Sequence, residues 1–599
     1  MARITSLIFL LALSFHTASQ EINNATAAEN ELLGYGANQG AGIPSSYTEG
    51  SLRGSLILEN GTIFTMNSRD RVVTVVGIDD GRIVYVGNSS SDAAKLFIRP
   101  PRVINLRGRM AVPGLIDCHN HIAILGNKPG YHHPLDRSFS IADVQALYGK
   151  AASEVPKGKF ITTVGGFRTF LFSSPAKHLG KKDGRSHADN STDPNQFRET
   201  RLPTLAELDL VTPNHPVFLS AGFNGPSATN TLGKSIFEAL PLDLRPVIAS
   251  NGTIAQGLEN GKALLSLRRN LTFADRQRSV RAAMAYAAST GVTTHLDQGA
   301  FPATDTPTDW SANEDLYTYH QPWLSVYAAG EGIIRLRINF LHYDNDTSSA
   351  TIVNRLQNTF PFFGNSMVRT GGIGEFVVEI DDYAGGAVFE AAVRKIAAAQ
   401  WRLEIHSLNS TDFQTQIQVF EAMDREYGIS KLRWVLAHVP LITPAYLSRL
   451  RRLGMGVNLS GWLFLAGTGN DTHPAGPPMR DIVASGIPMG GGADGPNVAP
   501  ISPWPHIYYF VTGKNALGEV INPGQQATRA EVLRMFTSAN TWFLGEADED
   551  QLGVLEVGRL GDVAVLSEDY FAVPDEKLKS LTSVLTVVGG VVVHRDGSF

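Results

Sequence analysis

One cysteine, Cys118, stands in 599 residues. No intrachain disulfide can form, so a disulfide scaffold is excluded and an apolar core must hold the fold. An excess of positive charge is also missing: 51 Lys and Arg against 57 Asp and Glu leave a net charge of −6. That balance gives no electrostatic footprint for nucleic acid or an anionic membrane, and a small molecule is the expected partner. Beyond the first twenty residues no run of about 18 apolar residues occurs, the length a membrane-spanning helix requires. Charged residues make up only 18 % and hydrophobic ones 43 %, a globular composition that argues against extensive disorder. The length exceeds one ordinary compact domain, so two or three lobes are expected.

The opening, MARITSLIFLLALSFHTASQ, puts Arg3 ahead of an apolar run from Leu7 to Phe15 and the small residues Ala18 and Ser19. This order reads as a secretory signal over residues 1–20, because the run is too short to cross a bilayer. A secreted mature chain is expected. Residues 21–50 are polar, rich in Gly, Ala, Asn and Ser and without regular periodicity, which reads as a linker or surface extension. Asn-x-Ser/Thr sequons at Asn24, Asn60, Asn88, Asn190, Asn251, Asn270, Asn345, Asn409 and Asn470 fit a glycoprotein. Another, Asn458 in the apolar GVNLSGW, is expected to stay unmodified.

From residue 51 to 112 the text turns to short alternating runs, LILENGTIFTM and RVVTVVGIDDGRIVYVG, punctuated by the hairpin signals Asn-Gly and Asp-Asp-Gly. Residues 551–599 repeat the style, so one β-sandwich built from both chain ends is expected. Between them, over 113–550, short apolar β runs alternate with helical patterns: RQRSVRAAMAYAAST then GVTTHLDQ, LEIHS then TQIQVFEAMDREYG, WVLAHV then PAYLSRLRRLG. Strand–helix repetition implies parallel strands with right-handed crossovers, an α/β layer or barrel, and the length favours a (β/α)8 TIM-like barrel. Residues from about 141 to 262 break the rhythm with Pro, Gly and polar residues and read as an insertion over the barrel mouth.

The stretch VPGLIDCHNHI is β-prone yet carries His119 and His121 two residues apart. Side chains at i and i+2 of a strand share a face, so both imidazoles project together, and two imidazoles so placed can share a metal. Packed or surface histidines would account for an isolated pair. Recurrence weighs against that: His406 closes LEI, His438 closes WVLA, and Asp494 follows the small-residue run MGGGA. Each sits where a β run gives way to a loop, the rim where barrel sites are built. Burying that many polar groups is unfavourable unless they coordinate a metal or hydrogen-bond one another.

These motifs, with INLRGRMAVPGLIDCHNHI, LPTLAELDLVTPNHPVFL, LAHVPLITPAYLSRLRRLGMGV, GADGP and a closing stretch through GRLGDVAVLSED, resemble the metal-dependent amidohydrolase superfamily. The branch resembled is amidohydrolase 3, which includes N-substituted formamide deformylases. The resemblance implies that His119 and His121 are strand-one metal ligands, His406 and His438 those of strands five and six, and Asp494 the strand-eight carboxylate. Relatives often place a carboxylated lysine on a middle strand. The matching GGIGEFVVEIDDY has no lysine; Glu375 is the expected substitute, with Glu379, Asp381 and Asp382 as neighbours. His295 in GVTTHLDQ has no pairing residue and stays outside the metal set. His132 and His133 read as a solvated loop, with substrate contact the alternative, and Cys118, alternating away from His119, as a small buried residue rather than a nucleophile.

The resemblance implies a hydrolase of carbon–nitrogen bonds other than peptide bonds, acting on an amide, N-formyl, N-acyl or cyclic amide of a small molecule. Imidazole and carboxylate donors suit one or two divalent ions, zinc first, which activate water, and Asp494 is the expected catalytic proton shuttle. A deaminase or lactamase on the same scaffold, or a silent ligand-binding member, are the competing readings. Related enzymes are often dimers, so a homodimer stays open.

Overall fold

The computed structural model describes residues 53–167, 196–221, 225–300, 319–379, 385–461, 464 and 476–599. The expected signal and extension, the sequons Asn24, Asn190 and Asn470, and the carboxylates Asp381 and Asp382 lie outside the described residues.

Eight parallel strands carry the centre: β1 (Leu115–Asn120), β2 (Val292–Asp297), β3 (Arg335–Phe340), β4 (Val368–Ile373), β5 (Glu404–Ser407), β6 (Val435–His438), β7 (Gly456–Ser460) and β8 (Met489–Gly492). They form two four-stranded sheets, β1 to β4 and β5 to β8, each in chain order. Bonds cross both seams. Ile373 N–H donates to Arg402 O at 3.0 Å and His406 N–H to Glu375 O at 3.2 Å, while Asp494 N–H donates to His119 O at 2.8 Å. The last approach requires glycine, since a Cβ on Gly492 would fall 2.5 Å from the His119 Cβ.

A helix precedes each strand from β2 onward, as the alternating patterns predict. The one over Phe273–Thr290 starts at a capping box of Thr272 with Asp275 and stops at Gly291, whose φ is +89°. The helix Ser410–Tyr427 starts likewise at Asn409 with Asp412. Apolar residues on the facing sides of these helices and strands merge into one cluster that includes Leu336, Phe389, Ile396, Ile417, Phe420 and Trp434.

Both chain ends meet in β structure. A four-stranded sheet runs Arg82–Gly87, Val75–Asp79, Leu56–Glu59, Arg102–Asn105. A six-stranded one pairs the C-terminal Val563–Leu566 antiparallel with Met110–Pro113. Leu56, Leu58, Val76, Ile78, Ala111, Val563, Val565 and Val587 share one buried cluster. The Asp-Asp-Gly signal makes a hairpin: Asp80 and Gly81 take φ of 47° and 80°, the left-handed pair of a type I′ turn. Asn60-Gly61 does not. Asn60 also has positive φ, 54°, but there the chain passes from one sheet to the other, because Leu56–Glu59 takes Val75–Asp79 as its antiparallel neighbour.

Two buried arginines on β3 tie the centre to the C-terminal part. Arg335 grips Asp562 with two hydrogen bonds of 2.7 and 2.8 Å, and Arg337 grips Asp548 at 2.6 and 2.8 Å. Between β1 and β2 the chain builds a separate five-stranded sheet from Tyr131 to Ile254, with a helix ending at Arg268. The rhythm-breaking segment therefore starts about ten residues earlier than the sequence pattern implies, because the short strand Tyr131–His132 already pairs with Ile161–Val164.

Candidate metal centre

The six expected groups all stand at the C-terminal ends of central strands. His119 lies on β1 and His121 one residue beyond it. Glu375 follows β4, His406 lies on β5, His438 ends β6, and Asp494 follows β8. The structure brings all six to one spot. Glu375 is the hub: its Oε2 lies 3.4 Å from His119 Nε2, 3.1 Å from His406 Nδ1 and 3.0 Å from His438 Nε2, and its Oε1 lies 3.2 Å from His121 Nε2. Asp494 Oδ1 lies 3.4 Å from His121 Nε2 and 3.7 Å from His119 Nε2. Donor atoms of His119, Glu375, His438 and Asp494 all fall within 4.8 Å of one another. Glu379 is engaged with Asn345 instead.

Backbone strain marks the same place. His438 and Asp494 hold φ of 71° and 56°, left-handed values that cost roughly 1–3 kcal/mol at a non-glycine residue and persist where the surroundings over-determine them.

Groups behind the imidazoles fix their orientation. His119 Nδ1 donates to Glu404 Oε1 at 2.7 Å, His121 Nδ1 to Gly299 O at 2.6 Å, and His438 Nδ1 lies 2.6 Å from Ser460 Oγ. Such bonds set the tautomer, so that the neutral ring of His119 or His121 presents its Nε2 lone pair to the centre. The loop supplying Gly299 O is held by Asp297, whose Oδ2 accepts from Gly299 N–H, Tyr319 and His320. Asn458, buried as its apolar context implies, donates to Cys118 O and Glu404 Oε1.

Burial alone would lower the His119 imidazolium, but Glu375 and Glu404 hold it well above the ordinary range. His121, likewise opposed by burial, is held at about 10 by Asp494 and Glu375. Burial would raise Glu375 and Asp494, yet the imidazoles keep both below the usual carboxylate range. The carboxylates thus gather positive charge where a divalent cation would put it. His438 is lowered by burial, in keeping with a neutral ring. His119 Nε2 is buried and has no hydrogen-bond partner among the described residues. An orphaned imidazole nitrogen amid imidazole and carboxylate donors fits a divalent ion.

The amidohydrolase family model matches residues 102–594. The chain belongs to the amidohydrolase family. This amidohydrolase is 22 % identical over 594 residues to N-substituted formamide deformylase of Arthrobacter pascens, covering 91 % of this chain and 99 % of that one. It is 26 % identical over 273 residues to Protein LONG AFTER FAR-RED 3 of Arabidopsis thaliana, 44 % of this chain and 42 % of that protein. Its fold is similar to an uncharacterized metal-dependent hydrolase from Pyrococcus furiosus (TM-score 0.53, 17 % identity, 86 % of this chain and 100 % of that one). It is also similar to triazine hydrolase from Arthobacter aurescens (TM-score 0.50, 17 % identity, 91 % and 95 %). This amidohydrolase is therefore a hydrolase acting on carbon–nitrogen bonds.

Sequence reasoning missed Glu404, Ser460, Asp297 and the Gly299 carbonyl. Glu404 had a signal. It stands two residues before His406 in LEIHS, on the same face of the strand, and a carboxylate inside an apolar run needs a partner. The groups kept out of the metal set stay apart from it. His295 is buried, brought to about 3 by that burial, and 3.8 Å from Asp117 Oδ2. His132 Nδ1 accepts from Val164 N–H, so this ring is part of the inserted sheet and not a solvated loop. Burial pushes the Cys118 thiol up, and it donates to Asn540 Oδ1 at 2.9 Å, an unreactive setting. Asn60, Asn88, Asn251, Asn270 and Asn345 are exposed, whereas Asn409 is half-buried as a helix cap.

Proposed function

We propose that this amidohydrolase is a secreted glycoprotein that hydrolyses an N-formyl, N-acyl or cyclic amide of a small molecule at a zinc centre of one or two ions. Its ligands are His119, His121, Glu375, His406, His438 and Asp494. The observation that carries the reading is the convergence of four imidazoles on Glu375 and Asp494 around a buried His119 Nε2 that makes no hydrogen bond among the described residues. Sequential bonding of β1 to β8, with links across both seams, supports a closed (β/α)8 barrel. The shared cluster of the two terminal sheets supports a β-sandwich. Secretion and glycosylation rest on Arg3 with the run from Leu7 to Phe15, and on the exposed sequons Asn60, Asn88, Asn251, Asn270 and Asn345. The partner on this reading is a small molecule.

When bound, the ion supplies Lewis acidity, which lowers the pKa of water from about 15.7 to about 7 and polarises a carbonyl oxygen. The chain's own residues do the rest. Asp494, kept ionised by His438 and His121, accepts the proton of the attacking water on a carboxylate oxygen and passes it to the departing nitrogen. Glu404 and the Gly299 carbonyl hold His119 and His121 in the tautomers that aim Nε2 inward. Glu375 supplies the negative charge that relatives obtain from a carboxylated lysine.

The test is metal analysis of purified protein together with a panel of N-formyl, N-acyl and lactam compounds. Near-stoichiometric zinc, with hydrolysis that chelation abolishes and zinc restores, is expected. Full activity in metal-stripped protein refutes the reading, and metal content near zero favours a silent ligand-binding member.

A further inference from the structure

We propose that Lys128 is the anion-recognition residue of this site and that the amide taken there carries a carboxylate or comparable monoanion. The inference deepens the proposed function and rests on it. Lys128 follows the 3-10 turn Ile122–Asn127, which leaves directly from His121. Its side chain is buried, 1 % exposed, and its ammonium donates to Asn497 Oδ1 at 2.6 Å. Asn497 lies three residues beyond Asp494. The link therefore joins two segments that leave the C-terminal ends of β1 and β8, each starting at a group of the metal centre. The inserted sheet closes on the same spot: Gly166 N–H donates to Asn497 O at 3.1 Å, and a Cβ on Gly165 would fall 2.9 Å from Pro496 O.

An ammonium has three donors, and among the described residues this one meets a single neutral acceptor. Among the described residues no carboxylate lies within ion-pair reach of Lys128. The charged side chain that acts on it is itself a cation: burial and then Arg268 bring Lys128 down to about 7, and burial first, with help from Lys128, keeps the His132 ring neutral, well below its ordinary range. A buried, uncompensated cation is unfavourable, and a neutral side chain would make the same strut without that burden. The charge is accounted for when an anion comes from outside the chain. An anionic substrate is accommodated when its charged end meets a separate cation, and Lys128 is that cation at the strand ends.

The experiment uses metal-loaded full-length protein and matched pairs, N-formyl- and N-acetyl-amino acids against their neutral methylamides, with Lys128→Met and Lys128→Gln beside the wild type. The wild type is expected to prefer the acid of each pair. Both variants are expected to lose about tenfold to a hundredfold in kcat/KM on the acid, the weight of one charge-assisted hydrogen bond. On the neutral partner they change about twofold or less, with Tm equal to or above that of the wild type. Equal rates on acid and neutral partner in the wild type, or equal losses on both in the variants, overturn the proposal while leaving the metal-centre reading intact. A fall in Tm that accompanies the loss makes Lys128 a strut and overturns it too. If no pair is turned over, thermal shift with N-acetylglycine and its methylamide decides: stabilisation by the acid alone that vanishes in Lys128→Met supports the proposal, and its absence overturns it. Activity surviving removal of metal would instead sink the metal-centre reading itself.

Discussion

Glu404→Gln separates what holds the metal centre from what holds the fold. The Glu404 carboxylate is fully buried and serves two cations at once: Oε1 accepts from His119 Nδ1 at 2.7 Å and from Asn458 Nδ2 at 3.2 Å, and Oε2 accepts from Arg402 Nη2 at 3.2 Å. The amide keeps the volume and one acceptor oxygen but removes the charge. On the His119 side a charge-assisted bond becomes a neutral one of about half the strength. Loss of such a partner weakens metal binding by roughly 10–100-fold, about 1.4–2.7 kcal/mol. On the Arg402 side the guanidinium, itself buried, is left without a counter-charge, which destabilises the fold by about 3–5 kcal/mol. A second substitution, Arg402→Met, removes that stranded cation and should restore much of the stability while leaving zinc affinity low. Competition against a chromophoric chelator reads the affinity, and denaturant unfolding of the metal-free protein reads the stability. Zinc affinity in Glu404→Gln within twofold of the wild type, or recovery of affinity and stability together in the double variant, refutes the assignment of Glu404 as the group that positions His119.

That Glu404 escaped the sequence reading while its neighbour His406 did not shows where legibility stops. Period-2 alternation put His119 and His121 on one face, and small or apolar runs ending in His406, His438 and Asp494 marked strand ends, so the chemistry could be read from local text. Glu375 came only through resemblance to relatives, since GGIGEFVVEIDDY holds several carboxylates and no local rule picks one. Its role as hub depends on the chain passing from β4 into β5 so that Glu375 faces four imidazoles from three other strands. Ser460 and the Gly299 carbonyl are not legible at all, because serine and backbone oxygens carry no pattern until the fold sets them beside a ring nitrogen. The terminal β structure was readable from its turns, but Asn60-Gly61 was not the hairpin it resembled. A turn dipeptide fixes the local φ, whereas the strand that pairs next is chosen by the apolar face it can cover.

Asp494→Asn is expected to keep zinc within about tenfold of the wild type while turnover collapses by about 10²–10⁴, the range of a lost proton-transfer group; equal loss of metal would make Asp494 mainly a ligand. Asp548→Asn strands Arg337, which is fully buried and bonded to Asp548 at 2.6 and 2.8 Å, and Arg369 beside it. A loss of about 3–5 kcal/mol in unfolding free energy is expected, and an unchanged denaturation midpoint would refute the coupling of β3 to the C-terminal part. Asp136 gives a pH test away from the centre. Burial raises its carboxyl to about 6, against the pull of its bonds from Tyr286 and the Ser502 N–H. Unfolded, it titrates near 3.9, so from about pH 4 to about pH 6 the folded state binds more protons than the unfolded one. Stability therefore falls as pH rises through that window, by about 3 kcal/mol from this group, and stays flat above it. Other carboxylates titrate there too, so the quantity to measure is the difference between wild type and Asp136→Asn in unfolding free energy at pH 4 and pH 7. The variant should gain on the wild type between those two points by about that amount. A difference that does not change with pH would mean that Asp136 is ionised in the fold at both, and that its two donors outweigh its burial.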